Sequence, residues 1–206
     1  MTPSVTATTR PAKIIILRHG EKKKGDHALC STGTLRAQAL AAQFLGRNAN
    51  PSLFLPQEEP AAFLVITPHT DETAAPAAET WGLQPKGGNG KVKKSDLDGA
   101  TEAAAKDVLT NYAGKTVVMV WEHKHIASED TNDDRTSLRA LLQLDHANPA
   151  PPKKWEGDNY NFFWIVTWPA NQVTVEIRQQ TFTDPYTKLP NNAWGAPALN
   201  KGADCE

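Results

Sequence analysis

The chain contains 206 residues, and 22 Lys and Arg against 23 Asp and Glu give a formal net charge of −1 at pH 7. This length is typical of one domain with a single well-formed core, and the balanced charge disfavours nucleic acid and anionic membranes as partners. No apolar run approaches the ~20 residues that span a bilayer, and the first residues lack the apolar region of a signal peptide. We therefore expect a cytoplasmic protein without a membrane partner, and a signal peptide that has been removed is the alternative that stays open.

Cys30 and Cys205 are the only cysteines. Two cysteines are too few for a disulfide framework or for a cysteine-based metal site. We expect both thiols to be reduced, as is usual in the cytoplasm, and a single bridge between them is the alternative that stays open.

Strand-like and helix-like segments alternate along most of the chain. Residues 1–12 are rich in Thr, Pro and Ser and predict a flexible arm. Apolar patterns predict strands at 13–17, 62–67 and 115–121 and helices at 32–45, 71–81, 101–112 and 137–144. Ser31 or Thr32 is the predicted cap of the first helix, and Gly46 its end.

The last third of the chain has a different pattern. Two strand-like runs, 161–168 and 173–182, are joined by a short turn and predict an antiparallel hairpin. An irregular tail is predicted for 183–206. We therefore expect one α/β domain over residues 1–206, a three-layer sandwich in which helices flank a mainly parallel sheet and the hairpin adds antiparallel strands at one edge.

Each of the first three predicted strands leads into a histidine. His19 follows the first strand, His69 the second and His123 the third. The carboxyl ends of parallel strands lie at one edge of a sheet, where α/β proteins bind their ligands. Because the chain has six histidines in all, three of them at equivalent strand ends predict one shared site.

The sequence Arg18-His19-Gly20 favours phosphoryl-transfer chemistry. A guanidinium binds phosphate oxygens through paired hydrogen bonds, and a neutral imidazole keeps a lone pair that can attack phosphorus. Glycine allows the backbone to approach a ligand closely. Phosphoryl transfer depends mainly on positioning and on positive charge around the transferred group, so an Arg–His cluster suits it.

Three segments resemble the histidine phosphatase (phosphoglycerate mutase-like) superfamily. The run Ile14-Ile-Ile-Leu-Arg-His-Gly-Glu21 resembles its Arg-His-Gly signature, and residues 29–40 resemble the helix start that follows it. Residues 117–123 are similar to the strand that carries the second catalytic histidine of the family. The likeness covers about residues 13–125 and implies a compact member with an α/β fold.

The resemblance implies a role for each motif residue. His19 would be the nucleophile that becomes a transient phosphohistidine, Arg18 would bind the phosphoryl oxygens, and His123 would be the second histidine of the pocket. The segment Thr67–Ala74 departs from the family pattern because it lacks an arginine. We expect His69 to replace that cation in part.

Two further kinds of residue complete the predicted site. Arg36, one turn into the first predicted helix, is a candidate phosphate ligand. The leaving group needs a proton donor, and Glu72 and Glu122 are carboxylates near the motif histidines. Asp71 and Glu21 are the first candidates for this role.

The sequence thus predicts a phosphatase that hydrolyses a phosphomonoester or a phosphohistidine, without a metal or other cofactor. Its partner would be a small phosphorylated substrate or a phosphoprotein, and the sequence does not indicate an oligomeric state. Two alternatives stay open. A domain that binds phosphate without turnover would suit the missing arginine, and a metal hydrolase could use His69, Asp71, His123 and His125 as ligands.

Overall fold

The computed structural model describes residues 9–25, 28–87, 92–130, 134–199 and 201–206. The described strands are β1 (Lys13–Arg18), β2 (Pro60–Val65), β3 (Thr116–Trp121), β4 (Phe162–Thr167) and β5 (Thr174–Gln179). They form one sheet in the order β2-β3-β1-β4-β5. β1, β2 and β3 are parallel, whereas β4 pairs antiparallel with β1 and with β5. The predicted α/β class, with a parallel core and an antiparallel hairpin, is confirmed.

Helices cover both faces of the sheet. Those in the described segments are α1 (Ser31–Leu40), α2 (Pro68–Thr80), α3 (Leu97–Asn111), α4 (His123–Ile126) and α5 (Leu138–Leu141). A π-helical turn, Ala41–Leu45, extends α1, and short 3₁₀ turns lie at Lys94–Asp96, Leu144–His146 and Pro169–Asn171. The predicted helix 137–144 is therefore only one α-helical turn, followed by a 3₁₀ turn.

The strand β1 shows how the core is divided into two layers. Ile14 and Ile16 pack on one face with α3, α4 and α5, whereas Ile15 and Leu17 pack on the other face with α1 and α2. Successive side chains of a strand point to opposite faces, and all four are fully buried. Burial of each such side chain stabilises the fold by about 1.5–3 kcal/mol. Because helices cover β1 on both faces, the strand lies at the centre of a three-layer sandwich.

The start of α1 differs from the prediction. The N-cap is Cys30, whose side chain makes no capping hydrogen bond, so the predicted caps Ser31 and Thr32 are wrong. Asp204 takes this role from the C-terminal segment: its carboxylate accepts hydrogen bonds from the Ser31 N–H at 2.8 Å and from Ser31 Oγ at 2.7 Å. A carboxylate at a helix N-terminus satisfies free N–H groups and offsets the helix dipole.

A disulfide bond holds this cap in place. Cys30 is bonded to Cys205, with their Cα atoms 5.3 Å apart, a separation that a disulfide can span. The expectation of two reduced thiols is therefore wrong, and the bridge that the sequence left open is present. The reason lies in tertiary structure, because the two cysteines are 175 positions apart along the chain.

The two ends of the chain behave differently. Of the predicted arm, residues 1–8 lie outside the described residues. Residues 10–12 do not form a free arm, because the Arg10 carbonyl accepts from the Gly114 N–H at 2.8 Å and the Ala12 N–H donates to the Lys115 carbonyl at 2.9 Å. The described part of 183–206 contains no helix or strand of the sheet. None of the helices in the described ranges has the length and apolarity needed to cross a bilayer.

Candidate active site

The ends of the three parallel strands meet at one edge of the sheet. β1 and β3 run in register up to Arg18 and Trp121, and β2 pairs with β3 to within one residue of that level. The rings of His19 and His69 meet just beyond the strands, with their centroids 4.5 Å apart in an edge-to-face arrangement. His123 is the first residue of α4, directly after the Glu122 that follows β3.

The neighbouring backbone fixes the ring of His19. Its Nδ1 lies 2.6 Å from the Gly20 carbonyl oxygen, and because a carbonyl only accepts, Nδ1 carries the proton and donates it. The Gly20 N–H in turn donates to Thr73 Oγ1 at 2.9 Å, which ties this turn to α2. The ring is fully buried, and this burial lowers the pKa of His19 to about 4. The imidazole is therefore neutral at pH 7, with the lone pair on Nε2.

Two glycines let α1 approach this turn closely. A Cβ on Gly33 would lie 2.1 Å from the Glu21 carbonyl oxygen, and one on Gly20 would lie 2.9 Å from the Gly33 carbonyl oxygen. Any side chain at Gly33 would therefore push the first turn of α1 away from the Arg-His-Gly segment.

Arg18 is held by aromatic and carbonyl groups. Its guanidinium carbon lies 3.8 Å from the centroid of the Tyr160 ring, Nη2 donates to the Tyr160 hydroxyl at 3.1 Å, and Nη1 donates to the Gly157 carbonyl. The buried Nε finds no hydrogen-bond partner among the described residues. The Nε–H is therefore a buried donor that a bound anion can use.

Glu122 is more central to the site than the sequence predicts. Its Oε1 accepts from Thr67 Oγ1 at 2.9 Å and forms a short hydrogen bond with His69 Nε2, and its Oε2 lies 3.3 Å from His19 Nε2. Burial alone would raise the pKa of this carboxyl, but the hydrogen bond with His69 holds it far below its ordinary value. Its position between β3 and His123 was the signal that could have singled it out.

The contact with Glu122 also changes the interpretation of His69. The sequence predicted that this imidazole would replace a missing phosphate-binding arginine. Its Nε2 faces the Glu122 carboxylate, so its first partner is an acid of the protein, and its role toward phosphate stays a prediction.

His123 is partly buried beside the other charged groups. Burial, reinforced by the charge of Arg18, lowers the pKa of His123 to about 3. Its Nδ1 is buried and has no hydrogen-bond partner in the described part of the chain. His123 is therefore neutral at pH 7.

Glu21 and Arg36 pair with each other. Arg36 Nε and Nη2 donate to the two carboxylate oxygens of Glu21 at 2.9 and 2.6 Å, and both side chains are fully buried. Arg36 Nη2 also donates to the Pro190 carbonyl, at 3.0 Å. Burial alone would raise the pKa of Glu21, but the Arg36 guanidinium holds it below its usual range. Both residues thus join the Arg-His-Gly segment to α1 and to the C-terminal segment.

The other predicted residues lie outside the cluster. Asp71 is in the first turn of α2, where partial burial and the neighbouring Glu72 raise the pKa of its carboxyl. His125 Nε2 pairs with Asp98 Oδ1 of α3 at 3.2 Å.

The metal ligands suggested by the sequence, His69, Asp71, His123 and His125, do not come together in the described residues. At the candidate site, the ligand atoms of His19, His69 and Glu122 all lie within 4.8 Å of one another, and a second such group, Cys30, Asp204 and Cys205, lies at the disulfide.

Comparison with known proteins leaves the family open. No protein-family model matches the chain, and no curated protein matches it. Among solved structures, the protein of the open reading frame Rv3214 from Mycobacterium tuberculosis is similar over 81% of this chain and 96% of its own, with 13% sequence identity and a TM-score of 0.44. The fold assignment therefore rests on the sheet topology itself.

Proposed function

We propose that the protein is a phosphatase that hydrolyses a phosphomonoester or a phosphohistidine through a covalent phosphohistidine on His19, without a metal. One observation carries the proposal. Arg18 Nε, His19 Nε2 and His123 Nδ1 are buried at one sheet edge and have no hydrogen-bond partner among the described residues. Unpartnered buried polar atoms are unusual in folded proteins, and a phosphoryl group offers oxygens to N–H donors and an electrophilic centre to a lone pair.

His19 has the properties of the attacking group. Its Nε2 lone pair would form a bond to phosphorus while the bond from phosphorus to the leaving oxygen breaks. A pKa of about 4 keeps this nitrogen unprotonated at neutral pH. The hydrogen bond from Nδ1 to the Gly20 carbonyl stabilises the positive charge that develops on the ring.

The His69–Glu122 pair is the best-placed proton donor. It lies beside His19 Nε2, whereas Glu21 is committed to Arg36. In the first step the pair would give the proton of its own hydrogen bond to the leaving oxygen, through the Glu122 carboxylate. In the second step it would take a proton from the water that attacks phosphorus, as the bond to Nε2 breaks and phosphate leaves.

Glu122 also controls access to the nucleophile. Its Oε2 lies 3.3 Å from His19 Nε2, and 14% of its side chain is exposed. A phosphoryl group must take this position, and the two negative charges repel each other. The partial exposure gives the carboxylate a path to turn away as substrate enters.

The test is a phosphatase assay with p-nitrophenyl phosphate in EDTA. We expect the wild type to turn over and His19→Ala to lose at least roughly 1,000-fold in kcat/KM, because the nucleophile is absent. His146→Ala is the matched control, since that side chain is 68% exposed and pairs with Asp145. Acid-labile, alkali-stable labelling of the wild type by a phosphorus-32 substrate would identify the intermediate.

Equal and negligible rates in the wild type and in His19→Ala would contradict the proposal. That result would favour a domain that binds phosphate without turnover, which the missing arginine in Thr67–Ala74 also suits.

The disulfide bears on the compartment in which the protein works. Disulfides persist in oxidising compartments and are rare in the cytoplasm. The Cys30–Cys205 bond therefore favours an oxidising compartment over the cytoplasmic location expected from the sequence.

A further inference from the structure

We propose that His19, His69 and Glu122 form a binding site for a divalent metal ion of the zinc class, that the ion replaces the proton of the His69–Glu122 hydrogen bond, which is released to solvent, and that an ion bound there blocks the nucleophilic nitrogen. The binding does not depend on phosphatase activity. The blocking rests on the proposed function, since it concerns the same nitrogen.

The distances suit such an ion. Zinc takes imidazole nitrogen and carboxylate oxygen at about 2.0–2.2 Å in tetrahedral geometry, which places neighbouring ligand atoms about 3.4 Å apart. His19 Nε2 and Glu122 Oε2 are 3.3 Å apart, and the ligand atoms of all three residues lie within 4.8 Å of one another. Three protein ligands leave a fourth position for water, as in open zinc sites.

The groups around the ligands are also those of a metal site. A metal-binding histidine usually donates its other ring N–H to a carbonyl or carboxylate, and His19 Nδ1 does so to the Gly20 carbonyl at 2.6 Å. Ligating carboxylates are themselves hydrogen-bonded, and Thr67 Oγ1 donates to Glu122 at 2.9 Å. These bonds orient the His19 ring and the Glu122 carboxylate toward each other.

An independent observation points to a missing ligand between His19 and Glu122. His19 Nε2 is buried and finds no aligned hydrogen bond among the described residues, although it faces the Glu122 carboxylate. Two electron-rich atoms that face each other across 3.3 Å attract a cation placed between them.

The positive charge of Arg18 opposes a cation in this position. Its guanidinium is held against Tyr160 and the Gly157 carbonyl, and the charge of Glu122 offsets it in part. We therefore expect weaker binding than at a structural zinc site.

The experiment is a zinc titration of metal-stripped protein by calorimetry or against a chromophoric chelator. We expect one equivalent of Zn²⁺ to bind to the wild type and the affinity to fall at least tenfold in His69→Ala and in Glu122→Gln. The affinity of His125→Ala should be unchanged, because His125 pairs with Asp98 away from the cluster. Thermal unfolding of each variant would show that it is folded, and Glu122→Gln keeps the shape of the side chain.

The absence of saturable zinc binding to the folded wild type would overturn the site. A zinc affinity that is unchanged in Glu122→Gln and in His69→Ala would also overturn the site. Blocking is measured separately, as a loss of p-nitrophenyl phosphate hydrolysis that rises with zinc occupancy and is reversed by EDTA, and activation by zinc would overturn it. A protein that binds zinc but is inactive in EDTA would contradict the phosphatase and leave the metal site standing.

Discussion

Glu122 is in contact with His19, the proposed nucleophile, and with His69, its partner in proton transfer. Its two oxygens face His69 Nε2 and His19 Nε2 separately, so a change in its charge affects proton transfer and anion entry in opposite ways. The carboxylate is needed to move a proton, but in the free protein it lies where a phosphoryl group must bind. Substitution of this one residue can therefore separate the two effects.

Glu122→Gln should lower kcat and tighten phosphate binding. A glutamine cannot transfer the proton, and general acid catalysis contributes typically 10²–10⁴-fold, so we expect kcat to fall by at least about 100-fold. The loss of the negative charge beside Nε2 should lower the inhibition constant of inorganic phosphate. Steady-state kinetics in EDTA would measure both, and a variant with unchanged kcat would exclude Glu122 as the donor.

The two buried histidines predict loss of stability at mildly acidic pH. The folded-state pKa values of His19 and His123 are about 4 and about 3, below the ordinary value of about 6.5. Below pH 6.5 the unfolded chain therefore binds more protons than the folded one, which favours unfolding. The free energy of unfolding should fall by up to about 1.4 kcal/mol per pH unit for each histidine.

Urea unfolding in EDTA at pH 7, 6 and 5 would measure this slope. The depressed pKa values of Glu21 and Glu122 act only below the ordinary carboxyl value of about 4.3, so they do not contribute in this window. His123→Asn should reduce the slope, whereas the exposed His146→Asn should leave it unchanged. Stability that stays flat from pH 7 to 5 would show that the two imidazoles are not buried in neutral form.

At the scale of elements, α1 lies so close to the Arg-His-Gly segment that position 33 is predicted to require glycine. A Cβ there would lie 2.1 Å from the Glu21 carbonyl oxygen, and overpacking of this kind costs about 1–3 kcal/mol. Gly33→Ala should therefore lower the free energy of unfolding and, because Gly20 of the same turn holds His19, also reduce turnover.

A matched helical glycine is available as the control. Gly99 lies in α3, and a Cβ there would meet nothing within 4 Å. Gly99→Ala should stabilise the protein by about 0.5–1 kcal/mol because alanine loses less backbone entropy. Urea unfolding that showed no difference between the two variants would refute the tight packing of α1 on the turn.

The elements that the sequence predicted well are those with local causes. β1 and β3 are short apolar runs buried on both faces, and such runs favour a parallel strand in any context. The convergence of His19 and His69 follows from parallel topology alone. The cap of α1 could not be predicted, because Asp204 reaches it from the far end of the chain, and the partners of Glu122 come from two other strand ends.

At the scale of the whole molecule, the C-terminal segment connects the disulfide to the candidate site. Lys201 Nζ pairs with Asp158 at 2.6 Å and lies 5.9 Å from the centroid of the Tyr160 ring, and Tyr160 holds Arg18. Cys205, four residues after Lys201, is tied to the start of α1. The disulfide bond thus fixes a segment that contacts α1 and also Tyr160, the residue that holds Arg18.

Loss of this bond should destabilise the protein strongly. The bond closes a loop with a sequence separation of 175, and removal of a native disulfide typically costs about 2–5 kcal/mol because the unfolded chain gains freedom. For a chain of this size the midpoint of thermal unfolding should fall by roughly 5–15 °C, both in Cys205→Ser and in wild type treated with dithiothreitol. The Cys30→Ser/Cys205→Ser double variant should not respond to the reductant. A wild-type midpoint that dithiothreitol leaves unchanged, with both thiols shown to be free by alkylation, would mean that noncovalent contacts of the C-terminal segment, such as those of Asp204 and Lys201, are enough to hold the loop.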